Sequence, residues 1–557
     1  MPARMSAAIR SDQAQDIVTR RFADAALDVW ELTLRQYPDE TIFVVVVAEE
    51  DLAEAAEIGN AIDRELDMLG FKGFVTVRRG SPADAPAKAR VTGVHDDRAT
   101  ELVRLITSRS RTSEAQPSLA YVRDAAANAA AVSAPRHHLI FGRRGAGKTA
   151  LMVEVRRGIE IDGNVGVWMN MQTFRHEPVQ RIFLYFVQRI CDAIAVHYRD
   201  QATTPSAAVR AAELDERVSR ALARNDFSVV DAQRLIPEVQ QLVSRFVGST
   251  GVRIYVFVDD FYYLPRSDQP GLLDMFHGCV RDTDAWLKVA SIRHLTRWFQ
   301  SSPPLGLQTG HDAAHIDLDV TLQDPQRATQ FLENVLLTYS KHAGIQRLSA
   351  LFSRGALDRL VLASGAVPRD YLTLGAGALL RAQARAKARL VGAQDVNQAA
   401  GDAAQAKIQE LEDDLAADEG SAQRTLDALG GLRKFCLERE RSTYFRVDFR
   451  DKEARTEEYA ALTDLLEVRL VHLIDPSVSD KRRAGERAEV FMLDLSQFTG
   501  ARLKQAIRVL DLDGGRIVSK KTASKEATRL ARSPRELITI YRAAPLLDLG
   551  IFTPSAA

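Results

Sequence analysis

Between His138 and Thr149 the sequence reads HLIFGRRGAGKT, an apolar run that delivers a Gly-x-x-x-x-Gly-Lys-Thr loop to a stretch of helical character opening Ala150-Leu-Met-Val. Glycines at 142, 145 and 147 relieve the steric limits that would keep backbone N–H groups from curling round a phosphate chain. Lys148 is placed to reach β- and γ-phosphates, Thr149 to ligate Mg²⁺, and the N-terminus of the following helix adds its partial positive charge. The expected ligand is ATP with Mg²⁺, bound by Gly142, Arg143, Arg144, Gly145, Ala146, Gly147, Lys148, Thr149 and Ala150. Such a loop needs a second acidic partner at the end of a neighbouring buried strand. Ile254 to Asp260, IYVFVDD, supplies one: Asp259 is expected to hold the metal together with Thr149, and Asp260 to orient an attacking water.

Those groups have to be positioned by a sheet. Apolar strand candidates recur at Val165 to Met169, Ile254 to Val258 and Leu287 to Ala290, alternating with helical stretches, which predicts a mostly parallel sheet covered on both faces. Upstream, Ser11 and Asp12 cap a predicted helix running toward Arg35 and ended by Pro38. An apolar strand Ile42 to Val47, a helix from about Glu50 to Leu69 and a strand Gly73 to Val77 follow. Downstream, Ile316 to Lys407 reads as largely helical, with Asp324-Pro325 a cap and first turn within it. From Ala422 the pattern is two helices, a strand Arg469 to Ile474, a polar loop, a strand Ala488 to Leu495 and a helix near Gly500 to Val509, the outline of a winged helix. The expected organisation is an N-terminal α/β interaction domain and linker over 1–97, a nucleotide-binding core over 98–310, a helical lid and connector over 311–420, a winged helix over 421–515 and a basic tail over 516–557.

The composition suits several globular domains and excludes some classes. At 557 residues the chain exceeds one core at roughly 150 residues per domain. Its 74 Lys and Arg balance 74 Asp and Glu, so no global charge draws it to nucleic acid. Cys191, Cys279 and Cys436 lie far apart, outside any CxxC or Cys/His cluster, and read as buried thiols of a reducing compartment. The longest apolar run, Ile42 to Ala48, is far below the ~20 residues of a membrane span, and the expected location is the cytoplasm, with no membrane partner.

The order of several motifs adds a resemblance. The strand ending in paired acids, then LKVASIRH (Leu287 to His294), GAVPRDYL (Gly365 to Leu372) and AQDVNQA (Ala393 to Ala399), resembles the AAA+ P-loop ATPases of the replication-initiator, or origin-recognition, clade and the related STAND signalling ATPases. The resemblance implies a polar sensor at Ser291 or Arg293, with Arg293 the choice of the STAND form, and a lid arginine, Arg369 behind Gly365 and Pro368, that touches the γ-phosphate. Asp395 and Val396 match the Asp-Val pair of the lid helix after it. Where initiators often have Asp-Glu this chain has Asp259-Asp260, and the shorter second side chain implies slow turnover. Arg297 is a candidate for a finger reaching a neighbouring subunit, and Asn170 for a strand-end polar group.

Two kinds of partner follow. Lys481, Arg482, Arg483 and Arg487 on the wing loop, with Lys520, Lys521, Lys525, Arg529, Arg532 and Arg535 in the tail, are candidates for phosphate contacts with double-stranded DNA, although Asp475, Asp480 and Glu486 dilute the loop's charge. The other is self-assembly or a signalling partner, as in a STAND-like ATPase of anti-phage defence with the N-terminal domain as sensor or adaptor.

Overall fold

The computed structural model describes residues 10–25, 27–37, 40–80, 91–109, 122, 128–199, 205–224, 227–415, 421–479, 486–499, 507–521, 529–530 and 533–553. At the N-terminus, α1 (Ser11–Asp24) and β1 (Glu31–Gln36) precede β2 (Thr41–Val47), α2 (Leu52–Met68) and β3 (Gly73–Arg79). β2 pairs antiparallel with β1 and parallel with β3, the parallel pair joined through α2. Phe43, Val45 and Val47 on one face of β2 pack against Val18, Phe22, Ile62 and Leu66 of the two helices. The single helix expected as far as Arg35 stops at Asp24. Leu32 and Leu34 alternate with polar neighbours, and pairing them with Val45 and Phe43 satisfies the strand's period of two at the expense of the helical spacing.

A helix α3 (Asp97–Arg109) leads away from this unit, and α4 (Asn128–Ser133) into the next. There β4 (His137–Phe141), α5 (Lys148–Ile161), β5 (Val165–Asn170), α6 (Val179–Tyr198), α7 (Ser206–Arg224), α8 (Val229–Thr250), β6 (Ile254–Asp259), α9 (Gln269–Val280) and β7 (Ala285–Ser291) follow in turn. A short hairpin, β8 (Phe299–Ser301) with β9 (Pro304–Gly306), precedes β10 (Ala313–Asp317). The order across the sheet is β10-β4-β7-β6-β5, every neighbouring pair parallel. All residues of β4 and β6 are buried, as a sheet covered on both faces requires. On one face Leu139, Phe141, Val256 and Val258 meet the helices α6 to α9, while on the other Ile140, Tyr255 and Phe257 meet Leu151, Val155 and Ile159 of α5. Because the strands are parallel, their carboxyl ends emerge at one edge, where the loop after β4 and the acids after β6 meet. Residues 313–317, expected in the lid, are instead the edge strand beside β4.

The lid consists of α10 (Pro325–His342), α11 (Arg354–Ala363), α12 (Pro368–Gln383) and α13 (Ala393–Leu415). As expected, Asp324 caps α10, its carboxylate accepting from the amide of Arg327 at 3.1 Å, with Pro325 in the first turn. Beyond it lie α14 (Ser421–Arg433), β11 (Tyr444–Asp448), α15 (Phe449–Ala454), α16 (Thr456–Glu467), β12 (Val471–Ser479) and β13 (Arg487–Leu493), the strands forming an antiparallel sheet in the order β11-β13-β12. One turn of helix, α17 (Ser496–Thr499), precedes β14 (Arg508–Asp513), β15 (Arg516–Lys521), β16 (Arg529–Leu530) and α18 (Pro534–Arg542).

This last segment departs from expectation. Of the helix expected near Gly500 to Val509, residues 500–506 lie outside the described residues and Arg508 and Val509 open β14, while the residues read as a basic tail fold back as β15 and α18. Gly514 and Gly515, at φ 56° and 78°, make the two-residue hairpin turn that joins β14 to β15. Leu537, Ile540 and Tyr541 of α18 are buried, and the Tyr541 hydroxyl donates to the carbonyl of Leu322 at 3.3 Å. Lys520 pairs with Asp511 on the adjacent strand. Lys481, Arg482, Arg483, Lys525 and Arg532 lie outside the described residues.

One apolar cluster runs through α3, the lid and the whole C-terminal unit, from Val94 and Leu102 through Leu332 and Leu379 to Phe491 and Leu549. α3, expected to open the nucleotide-binding core, belongs to this cluster because Ala99, Leu102 and Ile106 share one helical face that the lid covers.

Candidate functional site

The loop Gly142–Thr149 leaves the buried end of β4, turns at Arg144 and Gly145, where the Ala146 amide donates to the Arg143 carbonyl at 3.1 Å, and enters α5. Gly145 and Gly147 stand at φ 85° and 99°, where a side chain would be strained. The first amides of α5 have no intrahelical acceptor and point into the loop. The Lys148 side chain is buried along the loop, its Nζ donating to the carbonyls of Gly142 at 2.7 Å and Arg143 at 3.1 Å. Burial lowers its pKa, opposed by the charges of Asp260, Asp259 and Asp319.

The two acids stand at the end of β6, Asp259 as its last residue and Asp260 just after it. Thr149 Oγ1 donates to Asp259 Oδ2 at 2.8 Å, and Asp259 Oδ1 accepts from the amide of Asp260 at 3.0 Å. Asp259 is 1% exposed. Its pKa is pushed up to about 7, first by burial and then by the charge of Asp260, against the pull of the Thr149 hydroxyl and Lys148. Asp260 sits at φ 55°, in the left-handed region, which turns the chain sharply after β6. The hydroxyl and carboxylate are hard oxygen donors at about the spacing of adjacent ligands round an octahedral ion with ~2.1 Å bonds, so this pair fits Mg²⁺ chemically.

The two loop arginines reach in opposite directions, which the sequence did not reveal. The Arg143 amide and Nε both donate to Asp319 Oδ1, at 2.8 and 3.2 Å, and its guanidinium also reaches the carbonyls of Val320 (2.9 Å) and Gly365 (3.2 Å). Arg144 lies over the stacked rings of Tyr262 and Tyr263, 5.3 and 5.9 Å from their centres. Its cation and the Asp260 charge act oppositely on Tyr262, whose pKa burial raises. No spacing rule points to Asp319, 60 residues past Asp259, because β10 brings it back beside β4.

The lid closes over the loop. The Arg369 amide donates to the Gly145 carbonyl at 3.4 Å, and a Cβ added at Gly145 would sit 2.9 Å from the Arg369 Cβ and 3.0 Å from Val367 Cγ1. Arg369 is thus brought to the loop, on the first turn of α12. Arg293, at the end of β7, is about half exposed, 3.2 Å from Asp317 and 4.8 Å from the centre of the Phe141 ring. Ser291 is buried and shares a hydrogen bond with Thr296. Asn170 caps the turn after β5 through the amide of Gln172 at 2.8 Å, a structural bond. Arg297 is exposed, and Asp395 is tied to Arg385 and the amide of Gly392.

A parallel five-stranded sheet, a glycine loop at the end of one strand, a carboxylate at the end of another and a helical lid over both give the chain the α/β arrangement expected from its resemblance to the AAA+ P-loop ATPases. Among solved structures, the chain is similar to the Orc1 protein of Aeropyrum pernix in complex with DNA, at 17% identity and a TM-score of 0.33, covering 74% of this chain and 93% of that one. It is also similar to RuvB of Thermotoga maritima (10% identity, TM-score 0.25, 55% and 68% covered) and to C. elegans PCH-2 (9%, 0.23, 59% and 76%). No protein-family model matches the sequence, and neither does any curated protein. No helix among the described residues is long and apolar enough to cross a membrane.

Proposed function

We propose that this protein binds and hydrolyses ATP as a molecular switch, the state of the nucleotide being carried from the loop Gly142–Thr149 through the lid to the C-terminal unit. The observation that carries the reading is the Thr149–Asp259 pair, 2.8 Å apart under a glycine loop whose lysine is buried beside it. In it the loop amides and Lys148 hold the phosphates, Thr149 and Asp259 hold Mg²⁺, and Asp260 orients the water. Arg369 meets the γ-phosphate from the lid, and Arg293 would have to exchange Asp317 for the nucleotide to act as a sensor. Mg²⁺, when bound, supplies positive charge to the phosphate oxygens. Raised to about 7, Asp259 gives up its proton more readily once a cation is beside it. With only the short Asp260 as water-orienting group, turnover should fall below about 1 per second, the low end of enzyme rates.

The helix, strand, helix, helix, strand, strand order of the C-terminal unit supports its reading as a winged helix. In that reading α16 takes the place of a groove-reading helix, yet it carries Glu457, Glu458, Asp464 and Glu467 and no Lys or Arg. Negative charge there opposes a DNA backbone, which favours nucleotide-driven assembly or a protein partner over DNA for this face. Two measurements test this. Fluorescent ATP should bind the wild type and fail to bind Lys148→Ala, and unchanged binding would end the proposal. ATP should raise the sedimentation coefficient without salt-sensitive retention of DNA on filters, and retention that falls steeply with salt would restore DNA as the partner.

A further inference from the structure

The turn that carries Arg369 is held from two sides. Gly365 and Ala366 both stand in the left-handed region, at φ 55° and 63°, and the second has a Cβ, so this backbone persists only if its surroundings fix it. On one side the Gly365 carbonyl accepts from the loop residue Arg143 at 3.2 Å. On the other stands the C-terminal unit. A Cβ at Gly365 would fall 2.0 Å from Nδ1 of His472, a ring 1% exposed, whose Nε2 is 2.6 Å from Asp494 Oδ2. The ring's Nδ1 has no hydrogen-bond partner among the described residues. Three residues earlier, Arg469 reaches Asp370, the neighbour of Arg369, at 2.7 Å. Arg469 is itself at φ 59°, so the chain bends there to bring both side chains to the lid.

We infer that the short segment from Arg469 to His472 is a latch that sets the position of Arg369, with Arg469 and His472 as positioning residues for the nucleotide site. His472 abuts the start of the turn and Arg469 holds its end, so Arg369 moves only if β12 moves with it or both contacts break. The inference rests on the reading of Arg369 as the γ-phosphate contact. It adds that the C-terminal unit decides how well that contact is made, and that whatever binds the unit would tune the preference for ATP over ADP.

The test uses full-length protein and needs two measurements. In the absence of nucleotide, hydrogen exchange of amides 366–372 should quicken at least tenfold in Arg469→Gln and in His472→Ala, while Arg469→Lys keeps the slow rate. This part is independent of any nucleotide, so it can fail alone, and unchanged exchange in both variants overturns the latch. With fluorescent ATP and ADP, both variants should lower the ATP:ADP affinity ratio about fivefold or more, toward that of Arg369→Ala, with ADP affinity kept within about twofold. Added to Arg369→Ala, neither should lower the ratio further. Equal loss of both nucleotides, or full additivity with Arg369→Ala, shows that the segment only stabilises the fold and overturns the inference. Absence of Lys148-dependent binding in the wild type refutes the nucleotide reading instead, and with it the role of the latch in that site.

Discussion

Two glycines in one loop allow the contact between lid and loop to be weighed separately from backbone strain. Gly145 and Gly147 have nearly the same left-handed backbone, so replacing either by alanine costs about 1–2 kcal/mol of strain. They differ in their surroundings. A methyl at Gly147 meets nothing within 4 Å, whereas at Gly145 it would press on the Cβ of Arg369 and on Val367 at about 3 Å. Neither neighbour is the free end of a flexible side chain, so the lid must retreat, at an overpacking cost of about 1–3 kcal/mol. A local loss of ~2 kcal/mol is about a 30-fold change in opening equilibrium. The assay is hydrogen exchange of amides 367–373 without nucleotide. Gly145→Ala should speed their exchange by about 10- to 100-fold while Gly147→Ala leaves it near the wild-type rate. If the two variants exchange alike, the lid does not rest on the loop and the route from nucleotide to lid drawn above is wrong.

Further consequences can be checked separately. Asp319→Ala removes the shared acceptor of the Arg143 amide and guanidinium; with both side chains partly solvated, the loss should be ~1 kcal/mol, read as a roughly fivefold weaker ATP affinity in titration calorimetry. Asp259, lifted from 3.8 to about 7, holds its proton in the folded protein over a range where the unfolded chain has lost it. Its contribution to stability is therefore complete below pH 4 and lost as pH rises to 7; Asp259→Asn should flatten that fall in nucleotide-free melts, and a parallel curve would argue against the shift. Arg293→Ala breaks a half-exposed ion pair with Asp317 and a cation–π contact with Phe141, so stability should change by less than about 2 kcal/mol; a clear drop in single-turnover hydrolysis at unchanged ATP affinity would then assign it the sensor role, and no drop would remove it.

The loop and the acid were legible because they are local: each is a strand end followed by a turn, and parallel strands deliver their ends to a common edge. Gly145, Lys148, Thr149 and Asp259 needed no knowledge of the sheet order. What stayed hidden depends on pairing across long distances. Leu32 and Leu34 fit a helix as well as a strand until β2 is there to pair with them. Lys520 reads as a tail cation until Asp511 faces it across a hairpin closed by Gly514 and Gly515. Asp319 and His472 are single residues without a motif, and only the return of β10 beside β4 and of β12 to the lid turn gives them their contacts. Among its described residues the N-terminal unit offers no catalytic constellation, and its strand β2 is buried on one face by its own helices.

The continuity of the apolar cluster has a mechanical consequence. The N-terminal unit touches the same body, since His342 of α10 reaches the carbonyl of Asp24 at 3.0 Å and Lys341 lies near Asp51 and Glu54. The N-terminal and C-terminal units therefore both ride on the lid, and the parallel sheet, which lies between them in sequence, meets it at the site through polar contacts and the close approach of Gly145 to Val367 and Arg369. A tilt of that seam on release of a phosphate would swing head and tail together, as the two arms of one lever, so a partner gripping either end would feel it.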